Sequence, residues 1–465
     1  MNGSYQDCLT PLGSKTFTIE DQKLFAQYTG DLNPIHIDPI FARKTLAGEC
    51  IVYGIFGVMW AFNQLIKIEG LYPQSFDAQF LKTIPLNKPI TCLWDKLKSK
   101  IIIVQDRILL TSILIKIGDV SKDDHLNIMC KAPDAEPKNP LFKDISINEN
   151  MPLYFRGDLS CGKKLFPELN TAYGDGITSE LACTSEIIGM QIPGLNSLFL
   201  RIRGSITSNW AAPKCCVTQV DSRASLIKIS FEGSHLKCEL SAIFRPPPHK
   251  PKHIKDLSIY VKSDEFKGIN ALIIGGSRGI GRLTAKLLAS GGAKIVLTYA
   301  TGENDAFELQ EELKNHGFAC NVKKFIIGQD ITLPIESFDQ IYYFPTPKIA
   351  KESGDNNNDL FKKYQHYYVS CFENILDLCQ KNKLSPAIFY PSTDFIDSNP
   401  GDFKNYINAK KNGEQICKNY KEKYHMKIIY PRLPRLETDQ TTSIFPEKFQ
   451  DSTEVMLPYL RIMTA

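Results

Sequence analysis

YTGDLNPIHIDPIFA, residues 28–42, sets an aspartate and a histidine five residues apart around an Asn-Pro turn. Taken alone it is a loop, since Asn-Pro starts turns and an aspartate beside one bonds nearby backbone N–H groups. The run that follows, IVYGIFGVMWAF at 51–62, changes its meaning. That run falls short of the ~18 residues that span a bilayer, so it reads as a buried element. An Asp–His pair can hold a water from both sides, with one group taking its proton. A helix N-terminus directly behind the pair presents free N–H groups suited to an oxyanion. Such parts can add water across an α,β-unsaturated thioester, or remove it.

Tyr28, Thr29, Gly30, Asp31, Asn33, Pro34, Ile35, His36 and Ala42 stand at the signature positions of the MaoC-like, (R)-specific enoyl-CoA hydratases, a branch of the hot-dog folds. The segment resembles that family. The resemblance implies that Asp31 and His36 hold the catalytic water and that the Gly54 N–H polarises a thioester carbonyl. Many relatives carry histidine before that glycine, where this chain has Tyr53, a change that bears on the acyl pocket. From sequence, Gly54 reads equally well as a packing glycine.

The chain's 465 residues suggest about three domains at roughly 150 residues each. Its 43% hydrophobic and 23% charged content is ordinary for a soluble globular protein. A net charge of +4 without long runs of one sign gives nucleic-acid binding no electrostatic support. The start, MNGSYQDCLTPLGSK, has no apolar core behind a basic head. The 13 cysteines include no C-x-x-C pair and the eight histidines are dispersed. We expect reduced thiols in a cytoplasmic protein, no metal and no membrane span.

The proline-rich, basic FRPPPHKPKHIKDL, 244–257, predicts an extended linker. Two stretches before it share a pattern, an apolar helix-like segment followed by strand-like runs. A helix wrapped by an antiparallel sheet, present twice, explains that pattern. The second stretch lacks G-D-x-N-P-x-H and is expected to be a non-catalytic, structural half of a pseudo-dimer, with substrate bound along the seam.

Beyond the linker, apolar runs such as NALIIGG and AKIVLTYA alternate with helical ones such as RGIGRLTAKLLASGG, which means a parallel sheet covered on both faces. LIIGGSRGIG, 272–281, leaves a strand and enters a helix. Gly275, Gly279 and Gly281 would let backbone approach a pyrophosphate at that helix N-terminus. This G-x-x-x-G-x-G spacing resembles the short-chain dehydrogenase/reductase family. Ser277, Ile280 and Tyr299 join the glycines as candidate cofactor contacts, and Asp330 matches that family's adenine-side aspartate. The second strand ends LTYAT without an acid, and Arg278 stands where it could meet a 2′-phosphate, so NADP(H) is favoured. Tyr406 and Lys410 share one helix face, with Ser392 fourteen residues upstream of Tyr406. Tyr406 would protonate a carbonyl, Lys410 lower its pKa and Ser392 orient the substrate. The N-N-A-G segment of that family is replaced by FPTPKI.

The expected architecture is an α+β double hot-dog followed by an α/β Rossmann-like, doubly wound parallel sheet. Repeats at 1–148 and 149–246, a linker at 247–264 and a reductase-like domain at 265–465 would compose it. The expected function is NADPH-dependent 3-ketoacyl reduction coupled to (R)-3-hydroxyacyl dehydration, on acyl-CoA or acyl-carrier-protein thioesters, with a homodimer left open. The alternative is an active hydratase with a nucleotide-binding scaffold.

Overall fold

The computed structural model describes residues 9–119, 122–126, 128–151, 153–207, 213–249, 251–329, 333–352, 357–443 and 447–465. The chain divides into two compact units, Met1–Pro247 and Pro248–Ala465.

In the first unit, β1 (Leu9–Thr16) and α1 (Ile19–Thr29) precede a central helix, α2 (Gly54–Glu69). Strands β2 (Pro73–Phe80), β3 (Pro89–Asp95), β4 (Lys100–Gln105) and β5 (Ile108–Ile117) follow. A second helix, α3 (Pro167–Glu186), then precedes β6 (Ser197–Ile206), β7 (Lys214–Asp221), β8 (Leu226–Glu232) and β9 (Leu236–Phe244). All nine strands join one sheet in the order β1-β3-β4-β5-β2-β6-β9-β8-β7. The halves meet where β2 pairs antiparallel with β6, from Ser75↔Ser205 to Gln79↔Arg201. Across that seam Asp77 of β2 holds Arg201 and Arg203 of β6.

Strand alternation places Ile101 and Ile103, and Ile227, Ile229 and Phe231, in the core, because every second side chain faces the helices. Helix α2 is apolar on nearly every side, as a helix wrapped by a sheet and packed on a second helix must be. Helix α3 breaks at Gly174, whose φ of 78° lies in the left-handed region. A Cβ there would stand 2.3 Å from the Asp123 carbonyl oxygen.

The second unit has a six-stranded parallel sheet. Its strands are β10 (Asn270–Ile274), β11 (Lys294–Tyr299), β12 (Cys320–Lys324), β13 (Gln340–Tyr343), β14 (Ala387–Phe389) and β15 (Ile428–Ile429). The order β12-β11-β10-β13-β14-β15 reverses direction between β10 and β13, the switch point outside which ligands bind in such sheets. Helices cover both faces. Ala271 and Ile273 of β10 join one core with α4 (Gly279–Ser290), while Leu272 and Ile274 join another with α5 (Cys371–Lys381).

The expectation of an extended linker to 264 is corrected. Ile254–Leu257 forms a turn of helix, and Ile254, Leu257 and Val261 are buried in the core with α4. Their spacing of three and four is a helical apolar stripe, which the surrounding prolines and lysines mask in sequence.

Candidate active sites

In the first unit the motif loop follows α1, which Gly30 ends in the left-handed conformation at φ 75°. A Cβ on Gly30 would stand 2.7 Å from Arg156 Cβ, so this glycine permits close approach of the second half. The Tyr28 hydroxyl donates to the Thr178 carbonyl at 2.8 Å. Asn33 caps the short helix Pro34–Ile37, and its Nδ2 donates to the carbonyls of Gly189 (2.9 Å) and Gly194 (3.0 Å). The geometry of the motif loop is thus fixed by the opposite half of the unit.

Asp31 is 2% exposed. Its Oδ1 accepts from the Asn33 N–H at 3.1 Å and its Oδ2 from the Ser185 hydroxyl at 2.8 Å. Gly189 presses against the same carboxyl, where a Cβ would stand 2.2 Å from Oδ1. Burial lifts the Asp31 pKa to about 7, opposed by the bonds from Ser185 and Asn33. His36 Nδ1 donates to the Ile51 carbonyl at 2.8 Å, so in the neutral ring Nε2 carries the lone pair. Burial lowers the His36 pKa to about 4, with the Ile51 bond opposing and the Arg245 charge adding to the fall. Tyr53 stacks on the His36 ring at 3.8 Å, and its hydroxyl donates to the Asp31 carbonyl at 2.7 Å. It therefore braces both residues from below. Helix α2 starts at Gly54 without a side-chain cap, and a Cβ on Gly54 would meet the Phe80 ring at 2.9 Å. Packing thus demands glycine here, and the first-turn N–H groups have no intrahelical partner.

Ser185 and Gly189 were missed in the sequence. No local signal marks them, because this helix carries other buried polar residues, among them Thr178, Ser179 and Glu180. Through Ser185 and Gly189 the second half, expected to be purely structural, touches Asp31 directly.

In the second unit the glycine turn leaves β10 with Gly275 at φ 77° and Gly279 at φ 53°, both left-handed. A Cβ on Gly281 would lie 2.5 Å from the Gly275 carbonyl, so the third glycine lets the helix close on the turn. Arg278 is the N-cap of α4 and makes no side-chain cap bond. These features fit a dinucleotide phosphate. Ser277 is buried beside the glycines, and Ile280 lies partly buried in the first turn. The Tyr299 side chain is engaged by Glu303, and Arg278 is ion-paired to Asp439. Asp330 lies outside the described residues.

Tyr406 and Lys410 lie on α6 (Lys404–Tyr424), both buried. The Ser392 hydroxyl donates to Glu414 at 2.5 Å, and Glu414 also accepts from Arg432 at 2.7 Å. It is the neighbouring Thr393 whose side chain opposes the rise of the Tyr406 phenol pKa. Lys410 Nζ donates to the Pro391 carbonyl at 2.6 Å and lies 4.0 Å from the centre of the Tyr368 ring. Burial lowers the Lys410 pKa to about 7, while burial raises the Tyr406 phenol above its ordinary value. The lysine is held by a carbonyl and by the faces of Tyr368 and Tyr390, and its Nζ lies 6.0 Å from the centre of the Tyr406 ring. Tyr368 sits on a π-helical turn, His366–Ser370.

Among the described residues, no group of His, Cys, Asp and Glu is arranged to hold a metal, and no helix is long and apolar enough to cross a membrane.

Residues 10–92 match the family described as "MaoC like domain", and residues 270–342 match "short chain dehydrogenase". The chain carries both domains. An L-rhamnose 1-dehydrogenase (NADP(+)) of Thermoplasma acidophilum is 44% identical over 73 residues, 16% of this chain and 27% of that protein. General stress protein 39 of Bacillus subtilis is 31% identical over 80 residues, 17% and 28% of the two chains. The chain spans about a quarter of the length of the curated relatives it matches. A short chain dehydrogenase of Escherichia coli CFT073 complexed with NADPH superposes at TM-score 0.38, with 16% identity, over 43% of this chain and 93% of that one. The ketoreductase LanV with bound NADP does so at 0.33, with 20% identity, over 36% and 72%.

Proposed function

We propose that the first unit is a double hot-dog hydratase/dehydratase for 2-enoyl and (R)-3-hydroxyacyl thioesters, and the second an NADP(H)-dependent 3-ketoacyl reductase. The observation that carries the first assignment is the Asp31–His36 pair, with opposite pKa shifts, before the uncapped start of α2. Between about pH 4 and 7 the favoured state is protonated Asp31 with neutral His36. In hydration His36 Nε2 takes a proton from water as its oxygen attacks the β-carbon. Asp31 gives its proton to the α-carbon, and the Gly54 N–H supports the enolate oxygen. Dehydration reverses these transfers. The substrate lies along the seam between the halves, on CoA or an acyl carrier protein.

For the second unit, the glycine turn and Arg278 would hold NADP(H), which supplies hydride when bound; the T. acidophilum relative is named for NADP(+). Tyr406 gives a proton to the carbonyl oxygen, and Thr393 orients that hydroxyl. The shared product would then pass to the dehydratase at high local concentration, because both units are one chain. The test is a 3-ketoacyl thioester with NADPH, followed for the 3-hydroxyacyl and then the enoyl product. A second reading keeps only the hydratase active and makes the second unit a nucleotide-binding scaffold. The bond from Lys410 to the Pro391 carbonyl favours it, and NADPH binding without oxidation by any ketoacyl thioester would establish it.

A further inference from the structure

Residues 436–442 lie across the glycine turn. The Thr438 Cγ2 atom is 3.6 Å from a Cβ built on Gly279, and Asp439 forms an ion pair with Arg278. This strap is internally braced. The Thr438 N–H donates to Thr441 Oγ1 at 2.8 Å, Thr441 Oγ1 donates to the Leu436 carbonyl at 2.6 Å, and Arg435 Nη2 donates to the Thr441 carbonyl at 3.0 Å. The Asp439 side chain is 11% exposed and that of Arg278 is 25% exposed, so their attraction is only partly screened. Arg282, one turn further along α4, faces Glu312 at 3.4 Å and is committed elsewhere. A carboxylate therefore occupies the guanidinium that a phosphate entering beside the turn would use.

We propose that Asp439 sets the cofactor discrimination of the second unit by acting as the intramolecular counter-anion of Arg278. A nucleotide 2′-phosphate gains that guanidinium only by displacing the carboxylate. The inference rests on reading the glycine turn as an NADP(H) site. A 2′-phosphate meets both a competitor for its partner and a like charge beside it, whereas NADH, without that phosphate, meets neither in the same measure. Asp439 thus narrows a preference that Arg278 alone would make steep.

The test is calorimetric titration of the full chain with NADPH and with NADH, for wild type, Asp439→Asn, Asp439→Ser, Arg278→Ala and the Arg278→Ala/Asp439→Asn double variant. Both Asp439 variants should tighten NADPH about tenfold, the scale of a partly exposed charge-assisted bond, and NADH by less than about twofold. In the Arg278→Ala background, Asp439→Asn should tighten NADPH by less than in wild type, because the competition needs the guanidinium and only the like-charge repulsion remains. An unchanged NADPH-to-NADH ratio in the Asp439 variants, or tightening of NADPH that is as large without Arg278 as with it, overturns the inference and leaves the cofactor site standing. If no form binds either nucleotide, the site reading falls and the inference falls with it.

Discussion

Replacing Ser185 with alanine removes the hydroxyl that donates to Asp31 Oδ2 across 2.8 Å and leaves the Asn33 N–H bond to Oδ1 in place. Burial raises the Asp31 carboxyl to about 7, and the Ser185 bond opposes that rise because it favours the ionised form. A hydrogen bond to a charged group is worth about 1.5–3 kcal/mol, and about 1.4 kcal/mol moves a pKa by one unit. The variant's Asp31 pKa should therefore rise by roughly one to two units. Hydration needs protonated Asp31, so its rate falls as pH rises through about 7 in wild type, and that alkaline limb moves upward in Ser185→Ala. The acid limb, set by His36 near 4, stays in place. Stability carries the same sign. A carboxyl whose folded pKa is raised contributes stability fully below its ordinary value and loses it as pH rises through the folded pKa, so the variant loses more than wild type on the alkaline side. The assay is kcat/KM for hydration of a crotonyl thioester against pH, with thermal denaturation across the same range. A limb that stays fixed or moves down refutes the argument.

Asp31→Asn and His36→Ala should each lower hydration by at least about 10²–10⁴-fold while nucleotide affinity is unchanged; near-normal turnover in either would sink the assignment. Thr393→Ala should reduce ketoacyl turnover more than Ser392→Ala, because the Thr393 side chain acts on the Tyr406 phenol while the Ser392 hydroxyl is engaged by Glu414; the opposite ranking in steady-state rates would assign the role to Ser392. Tyr406→Phe should retain NADPH affinity and stop reduction, the pattern of a lost transition-state interaction, and undiminished NADPH oxidation would refute it.

Period and spacing made much of this architecture legible. The apolar run at 51–62 becomes a central helix because it is apolar all round, and LIIGGSRGIG becomes a strand, turn and helix because its glycines stand where left-handed backbone or close approach is required. What escaped were contacts between residues far apart in the chain. Ser185 reaches Asp31 across 154 positions and Asp439 reaches Arg278 across 161, and no local pattern marks either pair. Ser392 and Thr393 show a different blindness. Adjacent residues in an extended segment point to opposite sides, so the Ser392 hydroxyl goes to Glu414 while the Thr393 side chain acts on Tyr406, and spacing alone does not separate the two.

Burial acts on the two sites with opposite consequences. At Asp31 and His36 it disfavours the charged form of each, leaving one group as a proton donor and the other as a proton acceptor, the state the proposed hydration would use. At Lys410 it lowers the pKa to about 7, and the Pro391 carbonyl with the Tyr368 and Tyr390 faces satisfies what charge remains. A lysine so held brings little positive potential to Tyr406, whose phenol burial keeps protonated. That favours Tyr406 as a proton donor, but a tyrosinate left after transfer would be poorly stabilised. Lys410 has three N–H donors and gives one to the Pro391 carbonyl, so ketone reduction through Tyr406 requires the ammonium to turn a further donor toward the phenol. The scaffold reading requires only that Lys410 stay where it is.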